Sequence, residues 1–119
     1  MSKRTVNLHV GTVADMAARF KKAWQAAERG PVKREEHITF LSLSSFVSSL
    51  SSKRLELLKH VRKSGPCSAR ALAGALGRDY KSVHQDVAKL LETGLLERRA
   101  DNLLHAPFDK VVAEVDLAA

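Results

Sequence analysis

What most restricts the fold of this chain is the punctuation of residues 52–94, where two glycine-containing breaks separate three amphipathic segments. In "KRLELLKHVRK" Leu55, Leu58 and Val61 share one helical face, and "SGP" ends the segment. Ser68 stands where it can cap a second helix, "ARALAGALG", which contributes Leu72, Leu76 and small alanines, with Gly77 suited to the left-handed stop. Asp79 can cap a third helix that runs to Thr93 and is stopped by Gly94. Beyond it, "LLERR" and "NLLHAP" flank the turn-rich triplet "ADN", the pattern of a hairpin. A helix, a short helix, a glycine-bounded turn, a third helix and a hairpin, in that order, read as a winged helix-turn-helix.

The third helix carries the chemistry. With Val83 as reference and 100° per residue, Tyr80, Val87, Leu90 and Leu91 lie within about 80° of it and form the core face. Lys81, Gln85, Ala88 and Glu92 fall opposite, with Ser82 and Lys89 on one flank and His84 on the other. A helix in the major groove reads base edges with side chains near its amino end, while neighbouring cations hold phosphates. Arg78, Lys81, Ser82 and Gln85 have the chemistry and the position for this; Gln pairs bidentately with adenine, and Lys reaches guanine acceptors or a phosphate. Ala88, at the centre of the exposed face, adds no bulk that would hold the helix off a surface.

Upstream, "TVNLHV" alternates Val6, Leu8 and Val10 with polar residues at the period of a half-buried strand. Thr12 and Asp15 form a capping-box pattern, followed at helical spacing by Val13, Met16, Ala17, Phe20, Trp24 and Ala27. Gly30 and Pro31 end that helix, and "EHITFLS" reads as a second strand. "SLSSFVSSLSS" resembles a serine linker, yet Leu43, Phe46, Val47 and Leu50 keep the spacing of a short helix. In the tail, "KVVAEVDL" places Val111, Ala113, Val115 and Leu117 on one side of a strand; a helix from about Asp109 also fits, and the strand is preferred.

Charge is unevenly placed. Lys and Arg number 20 against 13 Asp and Glu, a formal +7, and residues 53–99 alone carry eleven basic against five acidic residues. Residues 100–119 carry one against four, so a basic middle precedes an acidic tail. A localized positive field concentrates polyanions, and nucleic acid is the commonest such partner. Cys67, the only cysteine, rules out an intrachain disulfide and a Cys-rich zinc site and fits a reducing cytosol. Neither a bilayer-spanning apolar run nor a signal peptide is present, so a cytoplasmic protein with no membrane partner is expected. The five histidines share no metal-binding spacing, and no phosphate-cradling loop, nucleophile elbow or paired carboxylate appears, so no enzyme, metal or cofactor is expected. His84 is the histidine that borders the groove-facing surface.

The run "RALAGALGRDYKSVHQDVAKLLETGLLERR" resembles the small prokaryotic winged helix-turn-helix predicted transcriptional regulators related to the MarR group, through "LA..LG" and "V..DV..L...GLL". "VADMAARFKKAWQAAERG", "HITF" and "KRLELLKHVR" extend the resemblance over nearly the whole chain. It implies a DNA-binding regulator, of a kind often encoded beside a small toxin as its antitoxin. By the same resemblance Arg78, Lys81, Ser82, His84 and Gln85 match recognition-helix positions, and Arg98 and Arg99 match the basic wing, whose short tip favours phosphate contact.

The expectation is therefore an α+β chain in two parts: residues 1–51, a strand-helix-strand-helix segment for dimerization, and residues 52–119, a winged helix-turn-helix with a carboxy-terminal strand. Its expected partners are double-stranded DNA, a second copy and a cognate toxin, and its DNA-binding set is Arg78, Tyr80, Lys81, Ser82, His84, Gln85, Lys89, Arg98 and Arg99. Two-fold symmetry would set the recognition helices roughly 34 Å apart on a pseudo-palindromic operator, which the protein would occupy as a repressor. The alternative is a protein-binding module that neutralizes a toxin or docks on another protein, with DNA binding secondary. RNA binding is disfavoured, because exposed aromatics suited to stacking bases are missing.

Overall fold

The computed structural model describes residues 4–30 and 36–117. Along the chain run β1 (Thr5–Val10), α1 (Val13–Glu28), β2 (Glu36–Phe40), α2 (Leu43–Ser49), α3 (Ser52–Ser64), α4 (Ala69–Leu76), α5 (Tyr80–Thr93), β3 (Glu97–Arg98), β4 (Leu104–His105) and β5 (Lys110–Glu114). The fold is mixed α and β.

Local chemistry explains most of these boundaries. Thr12 and Asp15 close a reciprocal capping box on α1, and a Cβ on the neighbouring Gly11 would stand 2.7 Å from the Asp15 carboxylate, which would then have to shift. In the serine-rich stretch, Ser42 accepts from the Ser45 N–H to start α2 and Ser51 accepts from the Arg54 N–H to start α3. Ser68 caps α4, Asp79 caps α5, and Gly77 and Gly94 close the two helices in the left-handed conformation, at φ 62° and 87°.

β1 is the centre of a parallel sheet of order β2-β1-β5, with Leu8 opposite Ile38 on one side and Ala113 on the other. Because side chains alternate along a strand, Val6, Leu8 and Phe40 share the inner face with Ile38 and Val111, and Asn7, His9, His37, Thr39 and Glu114 share the outer one. The inner face joins the helical core of Leu57, Leu58, Val61, Leu72, Val83, Val87 and Leu90 in one apolar cluster. β3 and β4 pair antiparallel, and Cys67 adds a bridge to Leu104 on the far side of β4. The hairpin turns at Asn102, a non-glycine residue at φ 69°, with the Asp101 carboxylate accepting from the Leu103 N–H.

Three expectations need correction. In α3 the buried face is Leu57, Leu58 and Val61, and Leu55 is 37% exposed, because the helix is rotated to bring Arg54 inward. Tyr80 is 43% exposed rather than core, since the first residue of α5 projects beyond the packed part of the helix. The carboxy-terminal strand stops at Glu114 and leaves Val115 and Leu117 exposed. That strand hydrogen-bonds to β1, so residues 1–51 and 52–119 contribute strands to one sheet. Pro31 lies outside the described residues.

Candidate nucleic-acid interface

The third helix is held from beneath. α5 buries Val83, Asp86, Val87 and Leu90, and this fixes the opposite side, with Lys81, Ser82, His84, Gln85 and Ala88 all exposed. Among them Ser82 donates its backbone N–H to the Asp79 carboxylate at 3.0 Å, so a carboxylate and the helix amino end are held at the start of the exposed face. The Tyr80 and His84 rings lie 5.8 Å apart on one side of α5, and the Arg70 guanidinium of α4 sits 4.9 Å over the Tyr80 ring. Arg70 thereby joins the surface that α5 presents, a residue that reading α5 alone does not reveal.

Asp86 organizes the other side. Its carboxylate accepts from Arg54 of α3 at 3.0 Å and from Arg78, in the turn before α5, at 2.7 Å. All three side chains are mostly buried, at 13–19% exposure, and Arg54 also donates to the Ser48 carbonyl at the end of α2. One carboxylate thus ties α2, α3, the α4–α5 turn and α5 together. A buried carboxylate needs such partners, since an unpaired ion in the interior costs several kcal/mol. Arg78 is accordingly engaged beneath the surface, and its Nη1 is buried without a hydrogen-bond partner. The sequence carried a signal for this cluster, because Asp86 lies about 60° from Val83, on the core side of the helix.

The remaining members of the predicted set lie elsewhere. Lys89, on the last half of α5, is half-buried and sits 3.8 Å from Glu92. On the hairpin, Arg98 donates to the Asn102 carbonyl at 3.2 Å and Arg99 pairs with Asp101 at 3.0 Å, both with exposed side chains. The wing arginines are therefore on the surface but restrained by their own turn. The structure brings Tyr80, Lys81, Ser82, His84 and Gln85 together on α5, sets Arg98 and Arg99 on the hairpin, and draws Arg78 inside.

Other features lie away from this surface. A cavity of about 360 Å³ opens between α3 and the start of β5, lined by Leu55, Leu58, Lys59, Phe108 and Lys110, and none of the predicted residues lines it. Burial raises the Cys67 thiol above its ordinary value, the opposite of an activated cysteine. Among the described residues no group of three or more His, Cys, Asp or Glu is placed to hold a metal, and no helix is long and apolar enough to cross a membrane.

Compared with known proteins, the chain matches no curated protein and no solved structure. Residues 49–113 match the model of the family described as HVO_A0114, and the matched stretch runs from the end of α2 through α3, α4, α5 and the hairpin into β5. It leaves out β1, α1 and β2, and it spans more than half of the 119 residues. On that coverage the chain belongs to the HVO_A0114 family.

Proposed function

We propose that this protein is a sequence-specific DNA-binding regulator in which α3, α4, α5 and the β3–β4 hairpin act as a winged helix-turn-helix, with kinship to the MarR-related regulators resting on the same residues. The observation that carries the reading is the exposed side of α5, where Lys81, Ser82, His84 and Gln85 stand clear of the core at the front of a firmly packed helix. The basic excess of residues 53–99, eleven against five, supplies the sequence-independent attraction to phosphate. Lys81 and Gln85 read bases, Arg98 and Arg99 hold phosphate, and Arg78 supports the start of α5 from within. Repression follows from occupying a promoter.

The test is fluorescence anisotropy on DNA from upstream of the coding region against scrambled DNA, at two salt concentrations. A preference of about a thousandfold with steep salt dependence is expected. Gln85→Ala should cost about 1–3 kcal/mol on the preferred site and blur its sequence, whereas Arg99→Ala should weaken every sequence alike and lower the salt slope by about one. Equal binding to both DNAs would end the sequence-specific reading.

One observation favours a second reading, a protein-binding module. The described residues leave the apolar side of α1 uncovered, with Phe20 69% and Trp24 61% exposed. In that reading a protein, such as a toxin, occupies α1 and DNA binding is secondary.

A further inference from the structure

α1 is 16 residues long, yet none of its residues is buried. Val13, Met16, Phe20 and Trp24, the large apolar residues of its stripe, are 67%, 45%, 69% and 61% exposed. The helix touches its own sheet by another side, where Arg19 donates to the Thr39 hydroxyl. That outer sheet face carries Asn7, His9, His37, Thr39 and Glu114 with Val112 as an apolar member, so it is mostly polar and a poor cover for an apolar stripe.

We infer that this stripe is covered by the same stripe of a second copy, in an antiparallel α1–α1 pair with its two-fold axis at Phe20. Counting from Phe20, the stripe is Met16 and Val13 at four and seven residues on one side, and Trp24 and Ala27 at four and seven on the other. Reversing the helix about Phe20 therefore reproduces the pattern: Phe20 meets the partner's Phe20, Met16 meets the partner's Trp24, and Val13 meets the partner's Ala27. Such self-complementarity is what a two-fold contact requires, since one patch must serve both sides. Ala17 and Ala23, three residues to either side, let the helices approach closely.

The accessory chemistry agrees. The polar atom of Trp24 is already satisfied, because Nε1 donates to Glu28 at 2.8 Å, so the ring can be buried without stranding a donor. Lys22 and Arg29 lie about 160–180° from Phe20 around the helix and stay in water. The uncovered apolar surface of the stripe is on the order of 500 Å² per copy, so pairing hides roughly 1,000 Å² in all, the floor for a specific contact. The pair lies outside the family match of residues 49–113 and does not depend on DNA binding.

Light scattering on the full chain without DNA should give twice 13.1 kDa at micromolar concentration. Phe20→Glu sets two carboxylates against each other on the axis and should weaken the pair by roughly a hundredfold or more. Because Phe20 is exposed within one copy, circular dichroism and the unfolding midpoint of the variant at low concentration should match the parent. In a Cys67→Ser background, Phe20→Cys should be joined by a short bis-maleimide and Lys22→Cys should not. A single-copy mass up to about 100 μM would overturn the pair, leaving α1 to a different protein. A dimer that survives Phe20→Glu, or cross-links through Lys22→Cys and not Phe20→Cys, would overturn its geometry.

Discussion

α1 and α5 announce themselves in the same way and end in different places. Each opens on a side-chain cap, Thr12 or Asp79, and each carries an apolar stripe at helical spacing, over 16 and 14 residues. α5 buries Val83, Val87 and Leu90 together with Asp86, whereas α1 buries nothing. Periodicity thus reports that a helix has an apolar side and is silent about what covers it. α5 is covered by α2, α3 and α4 of the same chain; the described residues leave the stripe of α1 exposed, and the cover inferred for it is a second copy.

The sharpest way to break the comparison is at Asp86. Asp86→Asn leaves Arg54 and Arg78 facing each other without a carboxylate and should lower the unfolding free energy by about 3–5 kcal/mol, against the 5–15 kcal/mol typical of a whole domain. Replacing all three residues with apolar ones of similar volume should recover most of the loss, because the buried ions would go together. The measurement is urea unfolding at fixed pH. A loss below about 1 kcal/mol would mean that the cluster is not a structural tie and that Arg78 is available to DNA.

These two helices also show what could be read in advance. Caps and stops were legible because they are local: Thr12, Ser68, Asp79, Gly77 and Gly94 act within four residues of themselves. The order of elements followed from them, and so did the exposed side of α5. The rotation of α3 was not legible from apolar spacing alone. Leu55, Leu58 and Val61 make a fair stripe, but the face that is buried contains Leu57 and also Arg54, whose partner lies 32 residues away. Arg78 was hidden for the same reason, since its partner Asp86 is eight residues on and across a helix start. The sheet failed in another way: alternation in "KVVAE" marks a strand without saying that it pairs in parallel with residues 105 positions earlier.

A smaller effect separates the helices by their caps. Losing a cap costs about 1 kcal/mol, typically because a helix-end N–H is left without its acceptor. Asp79→Ala should take that amount from global stability, since α5 is part of the core and unfolds with it. Thr12→Ala in the F20E background, where no second copy supports α1, should loosen only α1: faster amide exchange over Val13–Glu28, with the urea midpoint unmoved. If Thr12→Ala moves the midpoint as far as Asp79→Ala, α1 belongs to the core after all.

The smallest effect lies at the polar seam where α1 leans on the sheet. His9 on β1 and His37 on β2 share a hydrogen bond at 2.8 Å between Nε2 and Nδ1, which needs one of those nitrogens unprotonated as acceptor. Partial burial lowers the His9 pKa below the ordinary histidine value; Arg19 from α1 and His37 lower it further, and Glu114 from β5 opposes them. The folded chain therefore resists a proton that the unfolded chain accepts, so stability is complete above the unfolded value of about 6.5 and falls as the pH drops through it. His9→Asn should flatten the fall between about pH 7 and 5, and Arg19→Gln should flatten it in part by removing one of the repelling charges. α5 is held by its apolar face and by the Asp86 ion pairs rather than by the His9–His37 pair, so amides of α5 should gain no pH dependence from this seam beyond that of global unfolding. With five histidines in the chain the quantity to compare is the slope difference between variant and parent, and identical slopes would remove His9 from the pH response.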